Sequence, residues 1–241
     1  MLKTKLGRCI YTSPSGYKVY QNLFYRWLTL GSNALQTVIS RYNPHKPVLY
    51  YLPALTLMAR KFPGNTCLFG LGGAGVAQML NSDTDSFPLI AVDSSAEVIQ
   101  IAKQFFMVDR IKNLSIIHQN ANNYVETCEE KYTHLIVDLY DANNFPAECN
   151  HEDFFIHCKS RLKKEGFLAV NLANYKEQLP IFQLIKAQFK NTIVIPVKKS
   201  ANIVIIASPE DDREYIINKM KQTEDIKKIV WMDVWGYVAR F

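Results

Sequence analysis

The chain has 241 residues, 48% of them hydrophobic, enough for one sizeable core or for a core domain with a small appendage. Its net charge of +6 comes from scattered lysines and arginines, and no basic tract of the kind that grips a nucleic-acid backbone is present. No apolar run approaches the roughly 18 residues of a membrane span. Cys9, Cys67, Cys128, Cys149 and Cys158 are odd in number and dispersed, and no secretory leader precedes them. That pattern fits reduced thiols, so a soluble cytoplasmic protein without membrane or nucleic-acid partners is expected.

In chain order, the first elements are β-favouring segments separated by turns: RCIYT, SPSG, YKVYQNLFYRWLTL, GSN and ALQTV. Their spacing predicts a small antiparallel meander over residues 1–43. Pro44 and Pro47 mark the passage to a second unit, 44–241. It opens on VLYYLPALTLMARKF, which has the length and apolar face of a helix despite Pro53. From Thr66 the short apolar runs TCLFG, PLIAV, LSIIH, THLIVDL and GFLAVNL alternate with candidate helices near Val76–Leu80, Ala96–Phe106, Asn122–Cys128 and Glu152–Leu162. Such alternation predicts a parallel sheet with right-handed crossovers and helices on both faces. A helix near Gln178–Phe189 then leads to TIVIPV and NIVIIAS, which the KKSA turn joins as an antiparallel hairpin at the sheet edge. The expected fold is thus α/β, Rossmann-like, with a mostly parallel sheet of about seven strands, similar to the class I S-adenosylmethionine-dependent transferases. The aromatic C-terminus, KKIVWMDVWGYVARF, reads as a packed terminal strand, with a lid or a subunit contact as alternatives.

Gly70, Gly72 and Gly75 match G-x-G-x-x-G between a predicted strand and a predicted helix, the context that gives this pattern meaning. Glycine there permits positive φ and close approach of the backbone to a ligand. A tight ligand-free connection would use the same residues, but Asp93 closes the next strand roughly 20 residues later, where a carboxylate can hold the two hydroxyls of a ribose. The third strand ends in HQNANNY, and Asn120 could bind an adenine amino group through its side-chain oxygen. The fourth ends in VDLYDANNFP, and Asp138 and Asp141 form a D-x-x-D pair that can aim two carboxylates into one cleft. Two acids so placed can hold a cationic amine and accept its proton, whereas a helix cap plus a surface acid is the plainer alternative.

Over roughly residues 10–208 the chain resembles the polyamine aminopropyltransferases, the spermidine synthase family. The resemblance is carried by the meander with Gln36, by LGLGGAG, VDSSAEVIQIAKQFF, NANNYV, HLIVDLYDANNFPAE and EDFFIHCKSRLKKEGFLAVNL, and by the late hairpin. It implies transfer of an aminopropyl group from decarboxylated S-adenosylmethionine to a di- or polyamine, in polyamine biosynthesis, by a homodimer. It implies further that Gln36, Gly70, Gly72, Gly73, Gly75, Asp93, Ser94, Asn120 and Ala121 hold the nucleoside. Tyr50, Tyr51 and Tyr140 fall to the amine pocket, Asp138 to proton acceptance and Asp141 to orienting the amine or holding the far charge of a diamine. The sulfonium supplies the driving force, and no metal is expected. The family's glycine motif, usually GGGDG, reads LGGAG here, which puts Ala74 at the aspartate position. Ala74 leaves room for the carboxylate of intact S-adenosylmethionine, so a methyltransferase is the alternative, and a non-catalytic nucleoside-binding relative a third. Cys149, His151, His157 and Cys158 cluster in sequence, but C-x-H-x5-H-C matches no common zinc site.

Overall fold

A computed structural model describes residues 4, 6–31, 35–81, 87–141 and 144–241. Four strands open the chain, β1 (Arg8–Thr12), β2 (Tyr17–Gln21), β3 (Tyr25–Leu30) and β4 (Thr37–Ser40), each antiparallel to the next. The expected continuous segment Tyr17–Leu30 is broken into β2 and β3. Asn22 Oδ1 accepts hydrogen bonds from Phe24 N and Tyr25 N, a turn the β-propensity of the flanking residues hides.

The helix expected around Pro53 is two short ones, α1 (Leu52–Leu55) and α2 (Leu57–Lys61), meeting at Thr56. Thr56 Oγ1 donates back to Leu52 O at 2.7 Å, a side-chain bond that competes with regular helix at the junction. The alternation follows: β5 (Thr66–Phe69), α3 (Gly75–Asn81), β6 (Leu89–Asp93), α4 (Ala96–Phe105), β7 (Leu114–His118), α5 (Ala121–Thr127), β8 (Tyr132–Val137), α6 (Glu152–Arg161) and β9 (Leu162–Leu172). Then come α7 (Tyr175–Gln188), β10 (Asn191–Pro196), β11 (Ile203–Ser208), α8 (Arg213–Gln222), β12 (Lys228–Met232) and β13 (Gly236–Arg240). Helix α8, polar on most of its surface, was not among the elements expected from the sequence.

These strands form one nine-stranded sheet in the order β12-β13-β10-β11-β9-β8-β5-β6-β7. β5 to β9 pair parallel, while β11 runs antiparallel between β9 and β10. The seven strands from β10 to β7 in that order are the expected transferase sheet. Two corrections apply at its border. The β10–β11 hairpin is not the edge, and the C-terminal segment adds two strands, β13 parallel to β10 and β12 antiparallel to β13. An open β10 edge would leave a row of backbone donors and acceptors beside buried Ile193, Val194 and Ile195. β13 covers them with its own buried Val238 and Ala239.

Alternation along the strands sends Leu68 to one apolar layer and Cys67 and Phe69 to the other. The first layer is shared with α1, α2, α3 and α8, the second with α5, α6 and α7. The meander packs Val19, Leu28 and Ile39 on Ile101 of α4 and on Phe106, which brings β4 against the glycine turn. Asn120 and His151 act as N-caps of α5 and α6. Cys149 and Cys158 lie in the second apolar layer, and no group of His, Cys, Asp or Glu among the described residues is arranged to hold a metal ion.

Candidate active site

The carboxyl ends of β5, β6, β8 and β9 and the start of α5 converge on one side of the sheet, where open α/β sheets place their ligands. After β5 the backbone turns through positive φ at Gly70 (+92°) and Gly72 (+50°). A Cβ on Gly70 would stand 2.3 Å from the carbonyl oxygen of Asp138, so any side chain would force the two strand ends apart. Asp93 at the end of β6 holds the turn from the other side. Its Oδ2 accepts from Leu71 N at 2.9 Å and Gly72 N at 3.4 Å, and its Oδ1 from Ser95 N at 2.9 Å. Burial raises the Asp93 pKa, against the pull of those N–H groups and of the nearby His118. A carboxylate has roughly four acceptor sites, so binding a ribose through both hydroxyls requires the longest of these bonds, from Gly72, to give way. Gly73 N donates to Thr37 Oγ1 at 2.9 Å, which ties β4 of the meander to the same turn.

Two cavities adjoin here. The smaller is lined by Asp93, Ser94, Asn120, Ala121, Asp141 and Glu148, and the larger, of about 840 Å³, by Tyr50, Tyr51 and Gly75 among others. Gln36, Gly70, Gly72, Asp138 and Tyr140 line both. Gly73 lines neither. Asn120 Oδ1 accepts from Asn122 N at 2.8 Å as the α5 cap, and its Nδ2 donates to Glu148 Oε1 at 2.9 Å. One lone pair of the amide oxygen is therefore already engaged. Asp141 is exposed and paired through its backbone with Asn144, and burial together with the Glu148 charge raises its pKa. The D-x-x-D acids thus share the smaller cavity, but only Asp138 reaches the larger.

Asp138 sits at the junction. Its Oδ2 accepts from Tyr51 OH at 2.9 Å and its Oδ1 from Asn171 Nδ2 at 2.8 Å. Asn171 is fixed in that orientation because its own Oδ1 accepts from Asn202 Nδ2 at 2.8 Å. Burial pushes the Asp138 pKa up to about 6, and the Asn171 and Tyr51 hydrogen bonds hold it from rising further. Burial and the Asp138 charge raise Tyr51 well above its ordinary value, so its hydroxyl stays a donor. Tyr140 donates to Asn171 O at 3.3 Å and accepts from Ala173 N, fixing the chain just after β9. Such an arrangement can hold a cation beside a single carboxylate and then take a proton from it.

The profile of the spermine/spermidine synthase domain matches residues 72–227. The chain belongs to the spermine/spermidine synthase family. A polyamine aminopropyltransferase of Neisseria meningitidis serogroup A is 24% identical over 206 residues, 83% of this chain and 78% of the relative. Among solved structures, a spermidine synthase in complex with the transition state analogue AdoDATO superposes with TM-score 0.67 at 16% identity, covering 86% of this chain and 75% of that one. Human Methyltransferase-like protein 13 in complex with SAH gives TM-score 0.62 at 15% identity, covering 77% and 96%. At those identities the likeness speaks for the fold.

Within the family's glycine motif, Ala74 is fully buried in the apolar layer with Leu52, Leu55 and Ala77, at φ +60°, and lines neither cavity. Its methyl group therefore does not mark a carboxylate lost from the cleft. Buried there, Ala74 opens no space in either cavity, against the expectation that it leaves room for the carboxylate of intact S-adenosylmethionine. Sequence reasoning passed over Asn171, Asn202, Thr37 and Glu148. Asn171 carried a signal like that of Asp93 and Asp138, a polar residue at the carboxyl end of an apolar strand, one position before its last residue in GFLAVNL. The other three are found only through their partners in space.

Proposed function

We propose that the chain transfers the aminopropyl group of decarboxylated S-adenosylmethionine to an amine. What carries this reading is Asp138, one carboxylate lining both cavities at their junction. The nucleoside lies in the smaller cavity, with its ribose on Asp93, its base toward Asn120 and Ala121, and Ser94 and Gln36 beside it. The amine enters the larger cavity between Tyr50, Tyr51 and Tyr140 and meets Asp138. Its nitrogen attacks the carbon next to the sulfonium. The C–N bond forms as the C–S bond breaks, the electron pair goes to sulfur, and methylthioadenosine leaves. With an alkylamine pKa of about 10.4 against about 6 for Asp138, proton transfer ahead of attack would be uphill by roughly 6 kcal/mol. An ammonium has no electron pair for attack, so this transfer must still come first: the small fraction of amine left neutral, with its proton held on Asp138, forms the C–N bond, and the cost is part of the barrier. Holding the two reactants in line supplies much of the remaining rate. Asp141 lines the smaller cavity alone, so holding the amine falls to Asp138 and the tyrosines rather than to the acidic pair.

The experiment is a product assay on the purified chain with decarboxylated S-adenosylmethionine and a panel of amines. Methylthioadenosine with one aminopropyl group gained by the amine is the expected result. Nucleoside binding without either product would leave a non-catalytic relative. Methyl transfer is the second reading, favoured by Lys199 on the larger cavity, a cation that suits the carboxylate of intact S-adenosylmethionine. Release of S-adenosylhomocysteine would establish it in place of the first. We further place the protein in the cytoplasm as a homodimer. Among the described residues no helix is long and apolar enough to cross a membrane, and Leu23, Phe24 and Tyr42 expose apolar surface on and beside the meander. A one-chain mass in sedimentation equilibrium would rule the dimer out.

A further inference from the structure

The charges of the larger cavity are unusual for a site that receives diamines. Among the described residues lining it, Asp138 is the one acid and Lys199 the one base. Of the other acids of the region, Asp93, Asp141 and Glu148 face the smaller cavity, and Glu177, whose charge reaches Tyr140, lines neither cavity and accepts from Phe145 N at 3.1 Å. Asp93 is engaged by three backbone N–H groups, and Glu148 by Asn120. Both Asp138 oxygens already accept one hydrogen bond each, so this carboxylate is placed to hold one ammonium. For the second ammonium of a diamine the cavity offers tyrosine rings and hydroxyls, and a lysine that repels it.

Lys199 lies in the turn between β10 and β11, exposed, and among the described residues it has neither an ion-pair nor a hydrogen-bond partner. The turn itself is anchored. The neighbouring Lys198 Nζ donates to Phe241 O at 2.8 Å, and Val197 N to Asn202 O at 3.0 Å. Ser200 bonds Asn202, Asn202 bonds Asn171, and Asn171 bonds Asp138. The cation-bearing turn and the buried carboxylate are therefore two ends of one hydrogen-bonded chain.

Resting on the aminopropyl-transfer reading, we propose that the acceptor is an ω-amino acid, its ammonium on Asp138 and its carboxylate on Lys199. Lys199 is then a specificity-determining residue. Its charge attracts an anionic far end and turns away the second ammonium of a diamine.

The test compares putrescine with γ-aminobutyrate, which differ in one end group, by calorimetric titration of the full chain with methylthioadenosine present. γ-Aminobutyrate should bind about tenfold tighter than putrescine, and Lys199→Glu, an exposed turn substitution, should reverse the order. Putrescine binding as tightly to the unchanged chain, or a preference that Lys199→Glu leaves intact, overturns the proposal. Titration with intact and decarboxylated S-adenosylmethionine distinguishes the other source of a carboxylate. A loss for the intact donor alone on Lys199→Glu, with both amines unaffected, assigns Lys199 to the donor and also overturns the proposal. Because binding is read without turnover, the transfer reading fails separately, when no bound amine releases methylthioadenosine from the decarboxylated donor.

Discussion

Asp138 owes its properties to three neighbours that the chain supplies from far away: Tyr51, Asn171 and, behind it, Asn202. An acceptor of protons must be ionised before it can act, so kcat/KM should fall as the pH drops through about 6, where Asp138 becomes protonated. Tyr51→Phe removes a donor that favours the ionised form, and the acid limb of the pH–rate profile should move upward. An unmoved limb would separate Tyr51 from the titrating group. Asp138→Asn should lower turnover by about two orders of magnitude or more while nucleoside binding, measured by titration with methylthioadenosine, stays near that of the unchanged chain. Normal turnover in that variant would remove Asp138 from its assigned role.

At the level of elements, the strand–turn–helix from β5 to α3 is constrained from three sides, by Asp93 of β6, by Thr37 of β4 and by the Asp138 carbonyl after β8. Gly70→Ala combines φ +92° with a Cβ 2.3 Å from that carbonyl. It should destabilise the fold by about 1–3 kcal/mol and weaken nucleoside binding, as read by denaturant titration and calorimetry. The C-terminal hairpin is the other element with a defined task. Deleting residues 227–241 removes β12 and β13 and bares the β10 edge, so the shortened chain should aggregate on size exclusion where the full chain does not. A monodisperse truncated protein would show that β10 needs no cover.

Across the whole molecule two groups with displaced pKa values oppose each other. His134 stacks on Phe167, bonds Phe62 O at 2.7 Å through Nε2, and is lowered by burial to about 4 from an ordinary 6.5. Between those values the unfolded chain binds the extra proton, so the His134 contribution to stability rises with pH from about 4 to about 6.5. For Asp138 the folded state keeps its proton up to about 6 and the unfolded state loses it near 3.8, so that contribution falls with pH over nearly the same window. Each amounts to roughly 3 kcal/mol, and together they nearly cancel. Asp138→Asn removes one side of the balance. Its Tm should climb more steeply than that of the unchanged chain from pH 4 to 6.5, and parallel curves in scanning calorimetry would refute the pairing.

Much of this was written locally. The period of apolar residues specified alternating strands and helices, the glycines at 70 and 72 specified a turn through positive φ, and polar residues at the carboxyl ends of apolar strands marked Asp93, Asp138 and, unread, Asn171. These features depend on neighbours a few positions apart, where backbone sterics and side-chain alternation leave few choices. Only the tertiary structure decided that Tyr51 reaches Asp138 across 87 positions, that the two acids of D-x-x-D part at the larger cavity, that Ala74 faces the core, and that β13 covers β10. Those outcomes turn on which buried surfaces and unpaired backbone groups find each other when the sheet closes, and chain distance carries no record of that.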